Sequence, residues 1–309
     1  MRDLDLWRKG AWTVLGTAAV FLLLYGGLSI RQSTPVPWEG EERSLSLTAP
    51  QPAAPGEDDG RLNVLICGVD DTRYLTDVIL LASLGEETGE VSVLQIPRDT
   101  YVGTDLVPTG KINALYGQKD GGIQALEAQV EELTGLSVDR YVTVTLEGVR
   151  AIVDDLGGIP MTLAEPIDYL PGKSLSAGEH LLTGEQAEWL IRYREGYATG
   201  DIGRMETQKE FLAAALETVH DKGRSQAMGA LVRNYSQVET DMPLAQMVSV
   251  GRQVFDLGTD SISFHLLPGE GEMVEGYAVY LPDRDALSQL ITQYFASGSS
   301  PDPEKGAVP

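Results

Sequence analysis

The amino-acid sequence predicts an α/β protein: a single domain with a central mixed β-sheet flanked by helices, preceded by one N-terminal transmembrane helix. Three observations support this prediction. The chain has 309 residues, of which 42% are hydrophobic, so it can form a sizeable core. Short apolar runs alternate with segments of helical periodicity along most of its length. One stretch near the N-terminus is uncharged over the length of a membrane-spanning helix.

That stretch, 11–30, has twenty residues without a charge, about the number needed to cross a ~30 Å hydrocarbon core as a helix. Three basic residues precede it, and a single Arg31 follows. This bias predicts residues 1–10 in the cytoplasm and the body of the protein outside the cell. We therefore expect a single-pass signal anchor in the plasma membrane. A cleaved signal peptide is the alternative, although no A-x-A-like cleavage site follows the apolar run.

Two polar segments flank the predicted domain. Residues 31–60 contain five prolines and end in a glycine-flanked acidic run, a composition typical of an extended tether. Residues 297–309 are rich in Gly, Ser and Pro and are predicted to be disordered. The chemistry is therefore expected in the domain between them, residues 61–296.

Within this domain, apolar runs bounded by turn residues predict strands, and apolar residues three or four apart predict helices. Thr183 with Gln186 three residues later is typical of a capping box at the start of a helix. The predicted strands are 61–67, 78–84, 91–96, 141–146, 261–266 and 275–281. The predicted helices are 121–133, 147–156, 183–193, 208–220, 243–257 and 283–295.

The composition excludes several classes of function. The net charge of −23, from 23 Lys+Arg and 46 Asp+Glu, argues against nucleic-acid binding, which depends on basic groups that displace counterions. It also argues against attachment to an anionic membrane through a basic face. Cys67 is the only cysteine, so no intrachain disulfide forms. Residues 61–220 contain 12 Lys+Arg and 26 Asp+Glu, so an anionic ligand must be bound by a local cationic pocket.

Charged side chains are concentrated in four short segments at the ends of apolar elements, where a buried charge is costly unless it is used. In chain order these segments contain Asp70, Arg73 and Asp77; Arg98 and Asp99; Lys111; and Arg192, Arg194, Arg204 and Gln208. Guanidinium groups bind phosphate oxygens bidentately, and carboxylates bridge to phosphate through Mg²⁺. The pattern therefore predicts a pyrophosphate site. Ordinary surface ion pairing is the alternative for any single pair.

The order of these motifs resembles the LytR–CpsA–Psr family. The matching pieces, from about Leu62 to Leu216, are GVD…TD, SVLQIPRDTYV, GKINALY, VDDLGGIPM, L-x-x-G-E-Q-A, IRYRE and DIGR…Q. Weaker similarity continues to Leu287. The IPRDT and KIN pieces at these spacings are highly specific to the family.

The resemblance implies an extracellular phosphotransferase of cell wall assembly. Members of the family move a glycopolymer, such as wall teichoic acid or capsular polysaccharide, from an undecaprenyl (polyprenyl) pyrophosphate carrier onto peptidoglycan. By position, the carboxylates of Asp70 and Asp77 would hold Mg²⁺, and Asp99 would either orient Arg98 or accept a proton from the attacking sugar hydroxyl. The implied phosphate-binding residues are Arg73, Arg98, Arg192, Arg194 and Arg204, supported by Lys111 and Gln208. The implied catalytic residues are Asp77, Arg98, Asp99, Arg192 and Arg194.

Two arginines of the family pattern are absent from this sequence. Leu75 stands two residues before Asp77, and Thr207 stands at the second arginine of an R-x-x-R-Q motif. A slip of two residues in a short loop would let Arg73 replace the first, whereas no neighbour replaces the second. The sequence therefore leaves two alternatives open: a degenerate, non-catalytic module that binds the lipid-linked glycan, and a hydrolase of the same pyrophosphate. Transcriptional regulation conflicts with the predicted topology and the net charge.

Overall fold

The structure, a computed structural model, describes residues 60–295 except 71, 73, 86–88, 119–120, 194–200 and 258–260. The predicted anchor at 11–30, the tether up to residue 59 and the tail at 297–309 lie outside the described residues. Across the described part of the chain, no helix combines the length and apolar character needed to span a bilayer.

Twelve strands are described. They are β1 (Arg61–Val69), β2 (Thr76–Gly85), β3 (Val91–Gln95), β4 (Arg140–Thr145), β5 (Ile159–Leu163), β6 (Ile167–Leu170), β7 (Lys173–Leu175), β8 (Gly178–Leu182), β9 (Val238–Thr240), β10 (Ile262–Leu266), β11 (Gly269–Val274) and β12 (Tyr277–Pro282). Six of them form a central sheet in the order β10-β3-β2-β1-β4-β9. The sheet is mixed, because β1 pairs antiparallel with β2 but parallel with β4, and β3 pairs parallel with β10. The other six form three two-stranded pairs: β5–β8, β6–β7 and β11–β12.

Helices cover both faces of this sheet. They are α1 (Ile123–Thr134), α2 (Leu146–Asp155), α3 (Gly184–Arg192), α4 (Asp201–Asp221), α5 (Gly223–Asn234), α6 (Leu244–Leu257) and α7 (Arg284–Tyr294). Val64 and Ile66 of β1 pack in one core with α2 to α6, which we call the first layer. Leu65 and Cys67 pack in a second core with α1 and α7, which we call the second layer. Because β1 is buried on both faces, its sequence is a continuous apolar run instead of an alternating one.

The structure confirms the predicted fold class of a single α/β domain with a mixed sheet flanked by helices. It also confirms the capping box: the Thr183 hydroxyl accepts from the Gln186 N–H, and the Gln186 side chain accepts from the Thr183 N–H. The helix predicted over 121–133 ends at Gly135, whose φ of 73° is the left-handed conformation that favours glycine.

Several elements differ from the sequence prediction. The strand predicted over 275–281 begins two residues later, because Glu275 and Gly276 both have positive φ and form the two-residue turn between β11 and β12. Strands β5 to β8, β9 and β11 and helix α5 were not predicted. The strands are short, and α5 lacks a strongly amphipathic pattern, so local periodicity is weak in each.

Candidate active site

The candidate site lies at the end of the β1–β2 pair, where the regular register of the two strands is interrupted. Val69 pairs with Thr76 and Gly68 with Val78, so Asp77 is the extra residue of a β-bulge. Bulges redirect a side chain and are common beside active sites. The Asp77 carboxylate pairs with the Arg98 guanidinium, at 2.7 Å between Oδ1 and Nη1. The Arg98 side chain is only 13% exposed, so this pair lies in a partly desolvated environment where its charge interaction is strengthened.

Backbone hydrogen bonds hold the Arg98–Asp99 segment, which follows β3, on two sides. On one side, the Asn113 N–H donates to the Arg98 carbonyl at 3.2 Å. On the other side, the Tyr280 N–H of β12 donates to the Asp99 carbonyl at 2.8 Å. The buried Thr100 hydroxyl closes the turn by donating to the Pro97 carbonyl at 2.6 Å. Main-chain contacts with Asn113 and with the β11–β12 hairpin therefore fix the position of Arg98.

Lys111 adds a second cation next to this segment. Its Nζ lies 3.1 Å from Asp99 Oδ1, and Arg98 Nε lies 3.9 Å from the same oxygen. We call Asp77, Arg98, Asp99 and Lys111 the site cluster. Its two cations and two carboxylates form a network in which each carboxylate holds a cation in place. Such a network is preorganised to bind an anion, because the cations need little rearrangement.

Asp70, which follows β1, organises the neighbouring loop. Its carboxylate accepts hydrogen bonds from the Tyr74 and Leu75 N–H groups, both at 2.9 Å, and from the Thr72 hydroxyl. Burial alone would raise the pKa of Asp70, but these hydrogen bonds outweigh it and lower the pKa below its usual value. The loop rests on Gly117, where a Cβ atom would overlap the Tyr74 backbone. Leu75, which stands in place of a family arginine, is exposed.

Arg192 is the last residue of α3, in the first layer. It is paired with Glu188 on the preceding helical turn, at 3.0 Å, and its guanidinium lies 5.9 Å from the centre of the Tyr169 ring. Burial lowers the pKa of Arg192, but the hydrogen bond to Glu188 and the nearby Tyr169 and Asp77 raise it above its usual value. Asp77 of the site cluster is therefore one of the charges that act on Arg192.

Gln208 supports the end of α3. Its side chain is buried, and Nε2 donates to the Ile191 carbonyl at 3.1 Å, directly before Arg192. Thr207, the neighbouring departure from the family pattern, lies on α4. The predicted residues Arg73 and Arg194 lie outside the described residues, and the side chain of Arg204 on α4 is likewise outside them.

Two carboxylates are available for a metal. Asp70 and Asp77 lie at the same end of the β1–β2 pair. Among the described residues, no group of three or more His, Cys, Asp or Glu is arranged to hold a metal ion. Magnesium commonly binds one or two carboxylates together with water and substrate phosphates, so the donor set here suits an ion that is shared with a bound phosphate.

The sequence did not indicate three residues around Arg192: Arg150, Tyr169 and Glu188. Glu188 is the most buried of them, with its side chain 9% exposed, and its two oxygens bind Arg192 and Arg150. The spacing of four residues from Glu188 to Arg192 on one helix is a detectable ion-pair signal. The contacts of Arg150 and Tyr169 depend on tertiary structure, and no local pattern reveals them.

This combination of fold and site defines a class of protein. Arg98 and Lys111, from two loops, contact carboxylates at one end of the mixed α/β sheet, and Asp77 of the same cluster acts on the charge of Arg192 at a helix end. Open α/β sheets bind ligands at the carboxyl ends of their strands, and arginines suit anionic ones. The chain belongs to the LytR_cpsA_psr family, whose family model matches residues 34–296.

Individual relatives are consistent with this assignment. The chain is 28% identical over 238 residues to the polyisoprenyl-teichoic acid–peptidoglycan teichoic acid transferase TagU of Bacillus subtilis, covering 75% of this chain and 76% of that protein. It is 26% identical over 271 residues to the cell wall biosynthesis protein LcpA of Corynebacterium glutamicum, covering 77% of this chain and 52% of that protein.

Solved structures agree with the fold. The crystal structure of B. subtilis TagU is 28% identical and superimposes with a TM-score of 0.55, covering 81% of this chain and 99% of that chain. B. subtilis TagV, at 22% identity, has the same fold with a TM-score of 0.63, covering 77% of this chain and 98% of that chain.

Proposed function

We propose that this protein is a cell wall glycopolymer phosphotransferase, which moves a glycan from a polyprenyl pyrophosphate carrier onto peptidoglycan. The observation that carries the proposal is the site cluster, whose Asp77 also acts electrostatically on Arg192 of the other layer. The TagU relatives, whose name describes transfer of teichoic acid from a polyisoprenyl carrier to peptidoglycan, support the same donor and acceptor for this chain.

Phosphoryl transfer requires little covalent chemistry from the protein, because positioning and neutralisation of charge on the phosphate oxygens dominate. In our proposal, Arg98 binds the pyrophosphate from the second layer and Arg192 from the first. Asp77 aligns the Arg98 guanidinium through its contact at 2.7 Å. Lys111 adds positive charge on the far side of Asp99. Arg73, Arg194 and Arg204 are proposed as further phosphate ligands, on the strength of the family pattern.

We propose Asp70 and Asp77 as the residues that hold Mg²⁺. When bound, the ion would neutralise developing negative charge on the pyrophosphate. Asp70 keeps its loop closed through its hydrogen bonds to Tyr74 and Leu75, so its carboxylate stands in a fixed place beside the bulge. The proposed role of Asp99 is to orient Arg98 and Lys111, because both cations contact its Oδ1.

The proposed location follows from the first sixty residues. We propose that 11–30 anchors the protein in the plasma membrane with residues 1–10 in the cytoplasm, and that 31–60 tethers the domain outside the cell. A polyprenyl carrier is held in the bilayer, so a tethered enzyme works beside its lipid-linked donor.

The test is a transfer assay with the full-length chain in detergent, a polyprenyl-pyrophosphate-linked glycan, peptidoglycan and Mg²⁺. We expect polymer transfer that is abolished by chelation and lowered at least about 10²-fold by Arg98→Ala, because a preorganised charge is lost. Arg233→Ala is the matched control, because Arg233 pairs with Asp155 on the outside of the first layer. Absence of transfer, or equal activity of Arg98→Ala and wild type, would contradict the proposal.

The same assay separates the two alternatives. Release of glycan phosphate without an acceptor would identify a hydrolase. Binding of the lipid-linked glycan without any turnover would identify a non-catalytic module. In that case Leu75→Arg and Thr207→Arg, which restore the family arginines, should create activity where none existed.

A further inference from the structure

Glu188 is a buried carboxylate shared by two arginines from different helices. Its Oε2 lies 2.7 Å from Arg150 Nη1 on α2, and its Oε1 lies 3.0 Å from Arg192 Nη1 on α3. The Glu188 side chain is 9% exposed, whereas the side chains of Arg150 and Arg192 are 36% and 46% exposed. Each carboxylate oxygen therefore has its own guanidinium, and only the carboxylate is desolvated.

This arrangement constrains Arg192. A carboxylate this buried is strongly unfavourable without a compensating cation. If Arg192 were its sole cationic partner, turning toward a phosphate would leave a buried negative charge uncompensated. Arg150 removes that obstacle, because it neutralises Glu188 whether or not Arg192 stays in contact.

Arg150 is also fixed in place relative to α3. The Asp154 carboxylate on α2 accepts a hydrogen bond from the Gly184 N–H, at 2.7 Å, at the first residue of α3. Gly184 itself lies so close to the Arg150 backbone that a Cβ atom would overlap it. The two helices are therefore in close contact beside the Arg150–Glu188 pair, so Arg150 does not move away when Arg192 does.

We propose that Arg150 and Glu188 are positioning residues for phosphate binding. Glu188 holds Arg192 against Tyr169 before substrate binds, and Arg150 keeps Glu188 neutralised when Arg192 turns to the pyrophosphate. This inference rests on the proposed function, because it assumes that Arg192 binds the substrate phosphates. It adds an exchange of partners by Arg192, from Glu188 to the pyrophosphate. Arg150 makes this exchange possible by staying beside Glu188.

The exchange predicts opposite effects for its two members. In Arg150→Gln, Arg192 becomes the only cation beside Glu188, so binding of a pyrophosphate should weaken about tenfold. In Glu188→Gln, both arginines are released from the negative charge, so binding should tighten several-fold. The double variant, Arg150→Gln with Glu188→Gln, should bind like Glu188→Gln alone. Without the Glu188 carboxylate, Arg192 is free to bind the pyrophosphate even when Arg150 is absent.

The measurement is calorimetric titration of the full-length chain in detergent with geranyl pyrophosphate and Mg²⁺. Arg150→Lys keeps a cation beside Glu188 and should recover most of the wild-type affinity. Arg233→Gln changes the net charge by the same amount as Arg150→Gln, but at the Asp155 pair, and should bind like wild type. Thermal unfolding of each variant verifies that it is folded.

Three outcomes are informative. Weaker binding by Arg150→Gln that is reversed in the double variant supports the exchange. Equal affinities across the variants, or weakening by both single substitutions without recovery in the double variant, would overturn it and leave a purely structural tie between α2 and α3. A wild-type chain that binds no geranyl pyrophosphate would overturn the proposed function as well, so the two failures are distinguishable.

Discussion

The two layers of the protein position their cations by different means. In the second layer, Arg98 lies on a turn whose main chain is hydrogen-bonded to Asn113 and Tyr280, and its side chain is 13% exposed. In the first layer, Arg192 lies at a helix end, is 46% exposed, and is held mainly through its side-chain contacts with Glu188 and Tyr169. In the proposed site, Arg98 would therefore be a fixed phosphate ligand and Arg192 an adjustable one.

The carboxylates in each layer explain why the proposed site draws on both. Neither layer alone brings enough positive charge together, because carboxylates accompany the cations in each. An acidic chain with a net charge of −23 does not attract an anion as a whole. The proposed pyrophosphate site therefore requires cations from both layers.

The largest expected effect separates the fixed arginine from the adjustable one. Arg98→Lys should lower transfer about 10²-fold, because an ammonium group cannot pair with Asp77 and a phosphate in the geometry of the guanidinium fork. Arg192→Lys should lower transfer only about tenfold, because a flexible, exposed side chain tolerates the exchange better. Steady-state rates with the lipid-linked donor measure both. Equal losses of transfer activity at the two positions would contradict this difference between a fixed and an adjustable arginine.

A second prediction concerns the stability of the second layer, at His265 on β10. Burial lowers the pKa of His265 to about 4, and its ring stacks on Tyr294 at 4.0 Å between centroids. An unfolded histidine titrates near pH 6.5, so between these values the unfolded state binds the extra proton. Stability is therefore full above about pH 6.5 and falls as the pH drops toward 4, by up to about 3 kcal/mol.

Urea unfolding at several pH values measures this dependence. His265→Phe keeps an aromatic ring against Tyr294 and should flatten the change between pH 6.5 and 4. The matched control is His180→Gln on β8, in the antiparallel β5–β8 pair of the first layer, which should retain the wild-type slope. An unchanged slope in His265→Phe would show that the acid sensitivity of the protein lies elsewhere.

The smallest expected effect compares the two cores directly. Ile66 is fully buried in the first layer and Ile79 is 1% exposed in the second. Valine at either position removes one methyl group from a packed interior, and we expect each substitution to lower the free energy of unfolding by about 0.5–1.5 kcal/mol. Chemical denaturation provides the values. A loss confined to one position would indicate that one layer is loosely packed, contrary to the structure.

The sequence was informative wherever a feature depends on neighbouring residues. Apolar runs identified β1 to β4 and β10, and the Thr183–Gln186 spacing identified the start of α3. The antiparallel pair β5–β8 and the hairpin β6–β7 were missed, because two-stranded pairs on the surface mix apolar and polar residues over only a few positions.

For the site, the motifs correctly grouped Arg98, Asp99 and Lys111, which the structure brings into contact. Other features depend on long-range pairing and were not accessible to local patterns. The bulge that presents Asp77 requires the register of β1 against β2, and the Arg150–Glu188 contact joins residues 38 positions apart.

The central claim is that arginines from the two layers bind one pyrophosphate. A crystal structure of the full-length chain with geranyl pyrophosphate and Mg²⁺ tests it most directly. The account predicts that Arg98 and Arg192 both lie within about 2.7–2.9 Å of oxygens of the same pyrophosphate, as in charge-assisted hydrogen bonds. A pyrophosphate held by only one of the two arginines, or bound away from the site cluster, would contradict it.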